Sequence, residues 1–184
     1  RRAASAHGRV LLRQNGDRAV RRIGLACLLL AAPAATPAAA QEAGLAVGAK
    51  APVVTVKDLE GKPVSLDQFI GKQPLFLGWW ATWCEQCEAL LPRVRAAYAE
   101  VGDKVAFFGI NVAVNQSPER VRRFVESSKP PFRTLYDAEG ESTRAYAAPT
   151  TSYVVIVDRS GRVAYTGTGG DQEFLGALRR VAAQ

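Results

Sequence analysis

Three strongly apolar runs divide the chain, at residues 75–80, 105–112 and 153–158. Each has the length of an ordinary strand and is rich in Val, Ile, Phe or Trp. Apolar runs of this length, without strict alternation of polar residues, are typical of strands buried on both faces of a sheet. The pattern therefore predicts a central sheet covered on both sides.

Helical patterns follow these runs. After Cys84, apolar residues recur at nearly helical spacing as far as residue 101, and Pro92 inside this stretch predicts a kink. Ser117 and Pro118 indicate a second helix start, since Ser is a favoured cap and Pro is tolerated at the first helical position. Asp171 is expected to cap a final helix. The resulting order of strand–helix, strand–helix and strand–strand–helix places the chain in the α/β class.

Shorter segments predict hairpins at both ends of this pattern. Residues 53–56 and 63–65 flank a turn at 58–62, and residues 162–166 return along the third apolar run after a turn at 159–161. The first hairpin precedes the α/β pattern, so we expect it as an N-terminal addition to the sheet.

The first forty residues differ from the rest of the chain. Arg21 and Arg22 precede an apolar stretch at 23–35 and a run of small residues ending at Ala40, as in a secretory signal. The apolar stretch is shorter than the ~20 residues of a spanning helix. We expect residues 1–40 to be a leader cleaved after Ala40, or retained as an N-terminal tether, with a true start near Val20. Residues 41–50 then form a linker and residues 51–184 one domain.

Removing this leader changes the charge balance. The whole chain carries a net charge of +7, but residues 1–40 contain seven Arg and one Asp. Beyond residue 40 the chain has 17 basic and 16 acidic residues. Such a nearly neutral domain lacks the basic excess expected of a nucleic-acid-binding protein.

Two cysteines separated by two residues, Cys84 and Cys87, stand where the first apolar run gives way to the first helix. Thiols at this spacing can close into a disulfide and reopen, which suits thiol–disulfide exchange. Half of a zinc site has the same spacing, but the other Cys and the only His, Cys27 and His7, lie in the leader. A structural staple is the other alternative, although so short a loop restricts the unfolded chain little.

Other motifs surround this pair. Residues 80–84 read W-A-T-W-C, and Pro92 lies eight residues after the first cysteine. Residues 149–151 read P-T-T before a Val/Ile strand, and residues 158–161 read D-R-S-G. Over residues 51–183 the chain resembles the exported TlpA/ResA branch of the thioredoxin superfamily. The resemblance implies a thioredoxin fold: a central mixed sheet flanked by helices, with an N-terminal hairpin and an insertion between residues 111 and 148.

The resemblance also implies roles for individual residues. Cys84 attacks a substrate disulfide, and Cys87, less exposed, resolves the mixed disulfide. Pro149 corresponds to the cis-proline of the family, which leaves the backbone of Ala148 and Thr150 open to a substrate strand. An ordinary proline at a strand entry is the alternative.

The residues next to and between the cysteines are expected to determine the surroundings and the redox chemistry of the pair. Trp83 forms an apolar rim over the disulfide or packs in the core, whereas Trp79 and Trp80 belong to the core. Glu85 and Gln86 tune the redox chemistry.

Two positions depart from the family pattern. Thioredoxins bury an Asp six residues before the first cysteine, where this chain has Gly78. ResA-like proteins often carry an acid where this chain has Val114. The usual proton acceptor for Cys87 therefore has no obvious counterpart. Either Glu85 or a water molecule takes its place, or exchange is slower than in other members of the family.

These observations predict an exported, monomeric protein-disulfide oxidoreductase of the periplasm, without cofactor or metal, that reduces disulfides of protein substrates such as apocytochrome c. A membrane-embedded thiol carrier is the implied electron donor. A thiol peroxidase is one alternative, but it would favour a T-x-x-C context with an activating Arg. A copper-binding module would need a His ligand, and a purely structural domain is the remaining alternative.

Overall fold

The computed structural model describes residues 44–184, and the predicted leader lies outside this part of the chain. Seven strands form one mixed sheet in the order β2-β1-β5-β4-β3-β6-β7. The strands are β1 (Thr55–Asp58), β2 (Pro63–Ser65), β3 (Leu75–Trp80), β4 (Ala106–Asn111), β5 (Arg133–Tyr136), β6 (Val154–Val157) and β7 (Val163–Gly167). The helices are α1 (Glu85–Val101), α2 (Pro118–Ser128), α3 (Glu141–Ala145) and α4 (Leu175–Ala182), with a 3₁₀ turn at Leu66–Gln68.

Parallel pairing of β3, β4 and β5 forms the centre of the sheet. The two hairpins, β1–β2 and β6–β7, join it antiparallel at either side through β5 and β3. The predicted mixed sheet with an N-terminal hairpin is therefore confirmed. The insertion after β4 supplies α2, β5 and α3, and its strand β5 links the hairpin to the centre.

Alternate residues of β3 pack into two hydrophobic cores, one on each face of the sheet. Leu75, Leu77 and Trp79 face a core shared with the N-terminal hairpin and the α3 region. Phe76, on the opposite face, packs in a second core with α1 and α4. This two-sided burial explains the unbroken apolar run. The carboxyl end of the buried strand β3 leads directly to the start of α1.

The segment before β1 contacts β7 and the residue preceding it, and the final helix starts later than predicted. Within the predicted linker, Gly48 donates its N–H to the carbonyl of Val163 at 2.8 Å, and Lys50 forms an isolated β-bridge with Arg162. The final helix begins at Leu175 rather than at Asp171, so the predicted Asp171 cap is wrong. Within residues 44–184, none of the helices combines the length and apolar content needed to cross a membrane.

Candidate active site

A short turn after β3 carries Cys84 to the N-cap position of α1. The N–H of Cys84 donates to the carbonyl of Ala81 at 3.2 Å, and Glu85 begins the helix. Cys84 is the N-cap residue, and its Sγ accepts the backbone N–H of Cys87 at 3.1 Å. The first N–H groups of a helix lack partners within the helix and carry its positive dipole end, so a thiolate at this position is stabilised.

Cys84 and Cys87 form a disulfide, with their Cα atoms 5.2 Å apart. The structure therefore brings together the two thiols that the spacing predicts for exchange. Their exposure differs from the expectation: Cys84 is only 8% exposed, whereas Cys87 is partly exposed. The prediction that Cys87 is the less exposed residue is wrong for this disulfide form, because Cys84 lies in the tight turn that joins β3 to α1, beside buried Ala81.

Glu85 and Gln86 occupy the two places between the cysteines, and both are exposed. Glu85 and Glu88 are the acidic residues in the first turn of α1. The Gln86 side chain accepts the N–H of Gly170 through Oε1 at 2.8 Å. A side chain on Gly170 would lie 2.8 Å from Cβ of Ala89, so glycine permits this close approach of the loop to α1.

The loop at residues 167–172 is anchored by side-chain hydrogen bonds. Gln172 donates through Nε2 to the carbonyls of Ser152 and Gly169, each at 2.8 Å. The N–H of Gly169 donates in turn to Oγ of Ser152 at 3.1 Å. These bonds place the loop beside the entry to β6, on the same side as the disulfide helix.

The three tryptophans near the site differ in burial. Trp79 and Trp80 are both buried in the core, as the sequence predicts. Trp83 is 47% exposed, so it does not belong to the core, and it lines the same cavity as the two cysteines. Its indole Nε1–H donates to the carbonyl of Val114 at 2.9 Å. The backbone of Val114 therefore orients the indole ring of Trp83.

Residues 148–150 lie in the connection from α3 to β6. Pro149 and Thr150 are exposed, and Ala148, which is half-buried, donates its N–H to the carbonyl of Thr143 at 2.9 Å. Further along the same connection, Ser152 donates its N–H to the carbonyl of Trp79 at 2.8 Å. Contact of residues 148–150 with a substrate strand stays a prediction.

A mainly apolar cavity of about 160 Å³ opens beside the disulfide. Both cysteines line it, together with Ser152 and Tyr153 rather than residues 148–150. Its other wall residues include Phe76, Gly78, Trp80, Leu90, Phe124 and Phe132. Gly78 lies here without a carboxylate, and Glu85 and Glu88 are the acidic residues of the lining. Over residues 44–184, no group of three His, Cys, Asp or Glu side chains is placed to hold a metal ion.

A polar network next to the site was not predicted from the sequence. Gln116 accepts the backbone N–H of Thr82 through Oε1 at 2.8 Å, and it contacts the buried side chain of Asn111. Arg120 donates through Nε to Oγ1 of Thr82 at 3.1 Å. These partners are 34 and 38 residues apart in sequence, so no local motif could have indicated the contacts.

Known proteins resemble this chain in sequence. A family model described as Redoxin matches residues 46–181. Thiol-disulfide oxidoreductase ResA of Geobacillus thermodenitrificans is 30% identical over 156 residues, which is 83% of this chain and 88% of that protein. Thioredoxin-like protein YneN of Bacillus subtilis is 32% identical over 124 residues, or 66% of this chain and 71% of that protein.

Solved structures resemble it in fold. The thioredoxin domain of a thiol-disulfide oxidoreductase from Bacteroides vulgatus superposes with a TM-score of 0.64 at 23% identity, covering 74% of this chain and 99% of that chain. StoA from Bacillus subtilis superposes with a TM-score of 0.58 at 24% identity, covering 73% and 98%. The predicted thioredoxin-like fold is therefore confirmed.

Proposed function

The chain belongs to the redoxin family and is a ResA-like thiol–disulfide oxidoreductase, and from this premise we propose that it is exported and works mainly as a reductant of protein disulfides. The fold and the paired cysteines establish the class of reaction. The direction of electron flow, the compartment and the substrates belong to the proposal.

The exchange cycle uses both cysteines. In the reduced protein, the Cys84 thiolate attacks one sulfur of a substrate disulfide and displaces the other sulfur as a thiolate. Cys87, as a thiolate, then attacks Sγ of Cys84 in this mixed disulfide and releases the second substrate thiol. Two electrons pass to the substrate, and the Cys84–Cys87 disulfide forms. A thiol donor must reduce that disulfide before the next cycle.

The acidic first turn of α1 is the observation that favours a reductant. Glu85 and Glu88 lie there, and Glu85 directly follows the N-cap Cys84. A carboxylate close to a thiolate opposes its charge, which disfavours the reduced form and makes the dithiol a better electron donor. The N–H groups at the start of the helix act in the opposite direction, because they stabilise the Cys84 thiolate. The balance of the two effects sets the reduction potential of the cysteine pair.

Substituting Glu85 by Gln tests this electrostatic argument. We expect Glu85→Gln to make the reduction potential less negative by up to ~30 mV, which corresponds to about 1.4 kcal/mol for a two-electron couple. Glu126→Gln, an exposed substitution on α2, is the matched control and should leave the potential unchanged. An unchanged or more negative potential in Glu85→Gln would remove the basis for the reductant assignment.

Export is proposed from the signal-like pattern of residues 1–40, which lie outside the described part of the chain. If the protein is exported to a periplasm, a membrane-embedded thiol carrier is the electron donor that the family resemblance implies. Sequencing the mature N-terminus after expression in a bacterial host should give a start near Gln41. Recovery of a full-length chain from the cytoplasm alone would contradict this proposal.

The substrates can be identified by trapping. Cys87→Ser leaves Cys84 able to form mixed disulfides but unable to release them, so partner proteins should accumulate as disulfide-linked species that reductant dissolves. Apocytochrome c and other periplasmic proteins with disulfides are the candidate partners. Cys84→Ser is the control and should trap nothing. Equal trapping by both variants would count against separate roles for the two cysteines.

A further inference from the structure

The connection between β4 and α2, residues 112–117, holds the turn that leads into the redox helix. It contributes the bond from Thr82 N–H to Gln116 Oε1 at 2.8 Å and the bond from Trp83 Nε1–H to the carbonyl of Val114 at 2.9 Å. Arg120, in the first turn of α2, adds the bond to Thr82 Oγ1 at 3.1 Å. All three bonds fall on the two residues that directly precede the first cysteine.

Gln116 is itself held by the sheet. Its Nε2 donates to Oδ1 of Asn111 at 3.1 Å, and Asn111 is fully buried at the end of β4. The hydroxyl of Tyr136, at the end of β5, donates to the carbonyl of Gln116 at 2.9 Å. The side-chain amide of Gln116, which faces Thr82, is therefore tied to β4 through Asn111, and the backbone of Gln116 is tied to β5 through Tyr136.

The backbone of this connection is strained. Ala113 and Asn115 have φ values of 62° and 55°, in the left-handed region that side-chain-bearing residues disfavour. The Ala113 conformation is supported by its N–H donating to Oδ1 of Asn111 at 3.0 Å. Strain of this kind persists where surrounding contacts over-determine the backbone, and it is often found at functional sites.

We propose that Gln116 and Arg120 are positioning residues for thiol–disulfide exchange, which clamp Thr82 so that Cys84 stays at the N-cap of α1. In this place the backbone N–H of Cys87 reaches Sγ of Cys84 at 3.1 Å. Because only the thiolate attacks a disulfide, loss of the clamp slows attack at neutral pH by weakening the hydrogen bond to that thiolate. The proposal concerns the attacking step, and it holds whichever direction electrons flow.

The pH profile of alkylation measures this effect directly. In a reduced Cys87→Ser background, Cys84 is the one cysteine of residues 44–184, and the N–H at position 87 remains. The rate of Cys84 alkylation is then measured against pH for Gln116→Ala and Arg120→Ala. Arg122→Ala is the matched control, because Arg122 lies on the same helix but donates to the carbonyl of Leu59 at 2.9 Å, away from the redox turn.

We expect Gln116→Ala to slow alkylation at pH 7 by about fivefold, the effect of losing one cap-strength interaction, and to move the profile to higher pH. Arg120→Ala should move it in the same direction by a smaller amount, and Arg122→Ala should leave it unchanged. A merely structural role would lower the melting temperature without moving the profile.

The proposal would be overturned if Gln116→Ala folds and its alkylation rate depends on pH in the same way as that of the Arg122→Ala control. If Gln116→Ala does not fold, the test rests on Arg120→Ala, because Arg120 is exposed. An alkylation profile of Arg120→Ala equal to that of the control would then overturn the proposal. Faster alkylation in either variant would overturn it as well.

Discussion

At the residue scale, Cys84 combines a position at the helix terminus with very little exposure. The sequence predicted that position, because the cysteine stands between an apolar run and a helical pattern. The 8% exposure of Cys84 is not predictable from the sequence, since exposure depends on contacts that form only in the folded chain. Backbone N–H groups stabilise the thiolate at this place even when little of the residue contacts solvent.

Unequal reactivity of the two thiols follows from this position. Alkylation of the reduced protein near neutral pH should modify Cys84 before Cys87, because Cys84 is the N-cap and accepts an N–H of the first turn. Mass spectrometry of partly modified protein gives the order. Modification of Cys87 first would show that exposure, rather than the helix terminus, controls reactivity.

Other site residues could be predicted only in part. The sequence leaves Trp83 either as a rim over the disulfide or in the core, and its 47% exposure excludes the core. Gln116 and Arg120 carried no signal, because a single Gln or Arg in a loop or on a helix is usually a solvated surface residue. Their contacts with Thr82 depend on the packing of α2 against the end of β3.

At the scale of elements, local signals predicted the interiors of strands and helices well. They failed at the start of α4, where Asp171 resembles a cap but the helix begins after Phe174. The intervening residues are held by Gln172, whose bond to the carbonyl of Ser152 spans 20 positions. Capping preferences describe local bonds, so a long-range bond of this kind can override them.

Close packing around β4 predicts that Gly109 cannot be replaced by a larger residue without loss of stability. A Cβ on Gly109 would overlap the ring of Phe132, so Gly109→Ala should lower the free energy of unfolding by ~1–3 kcal/mol. Gly176→Ala is the control: it lies on the exposed side of α4 with room for a Cβ, and alanine favours helix by up to ~1 kcal/mol. Denaturant unfolding of the oxidised protein measures both. Similar changes in the two variants would contradict this account of packing.

At the scale of the whole molecule, the hairpins were predictable but the sheet order was not. Each hairpin joins strands that are neighbours in sequence, and the turn residues between them are visible in the sequence. The position of β5 between β1 and β4 depends instead on pairing across the insertion. Turn signals say nothing about such pairing, so the order of the seven strands emerges only from the structure.

Buried Tyr146 predicts how the stability of the domain changes in alkali. Its hydroxyl donates to the carbonyl of Pro52 at 2.8 Å, and burial raises the pKa of Tyr146 above the ordinary value of about 10. Above that pH the unfolded chain loses this proton while the folded chain keeps it, so the free energy of unfolding falls as pH rises. The contribution is complete below about pH 10 and is lost progressively above it.

Tyr146→Phe separates this effect from other causes. We expect the variant to lose about 1 kcal/mol near neutral pH with the hydrogen bond to Pro52, and to show a shallower decline of stability above pH 10. Burial also raises the pKa of Tyr153 and Tyr165, so part of the decline should remain. Denaturant unfolding at several pH values tests this, and equal slopes in the two proteins would contradict the role of Tyr146.

The reduction potential of the Cys84–Cys87 couple is the most direct test of the central claim that the protein is a reductant. It is measured by equilibrating the protein with defined mixtures of reduced and oxidised dithiol and quantifying the free thiols. With Glu85 and Glu88 in the first turn of α1, the account predicts a potential near that of thioredoxin, about −270 mV. A potential near about −120 mV, the value for DsbA, would contradict it and indicate an oxidant of protein thiols.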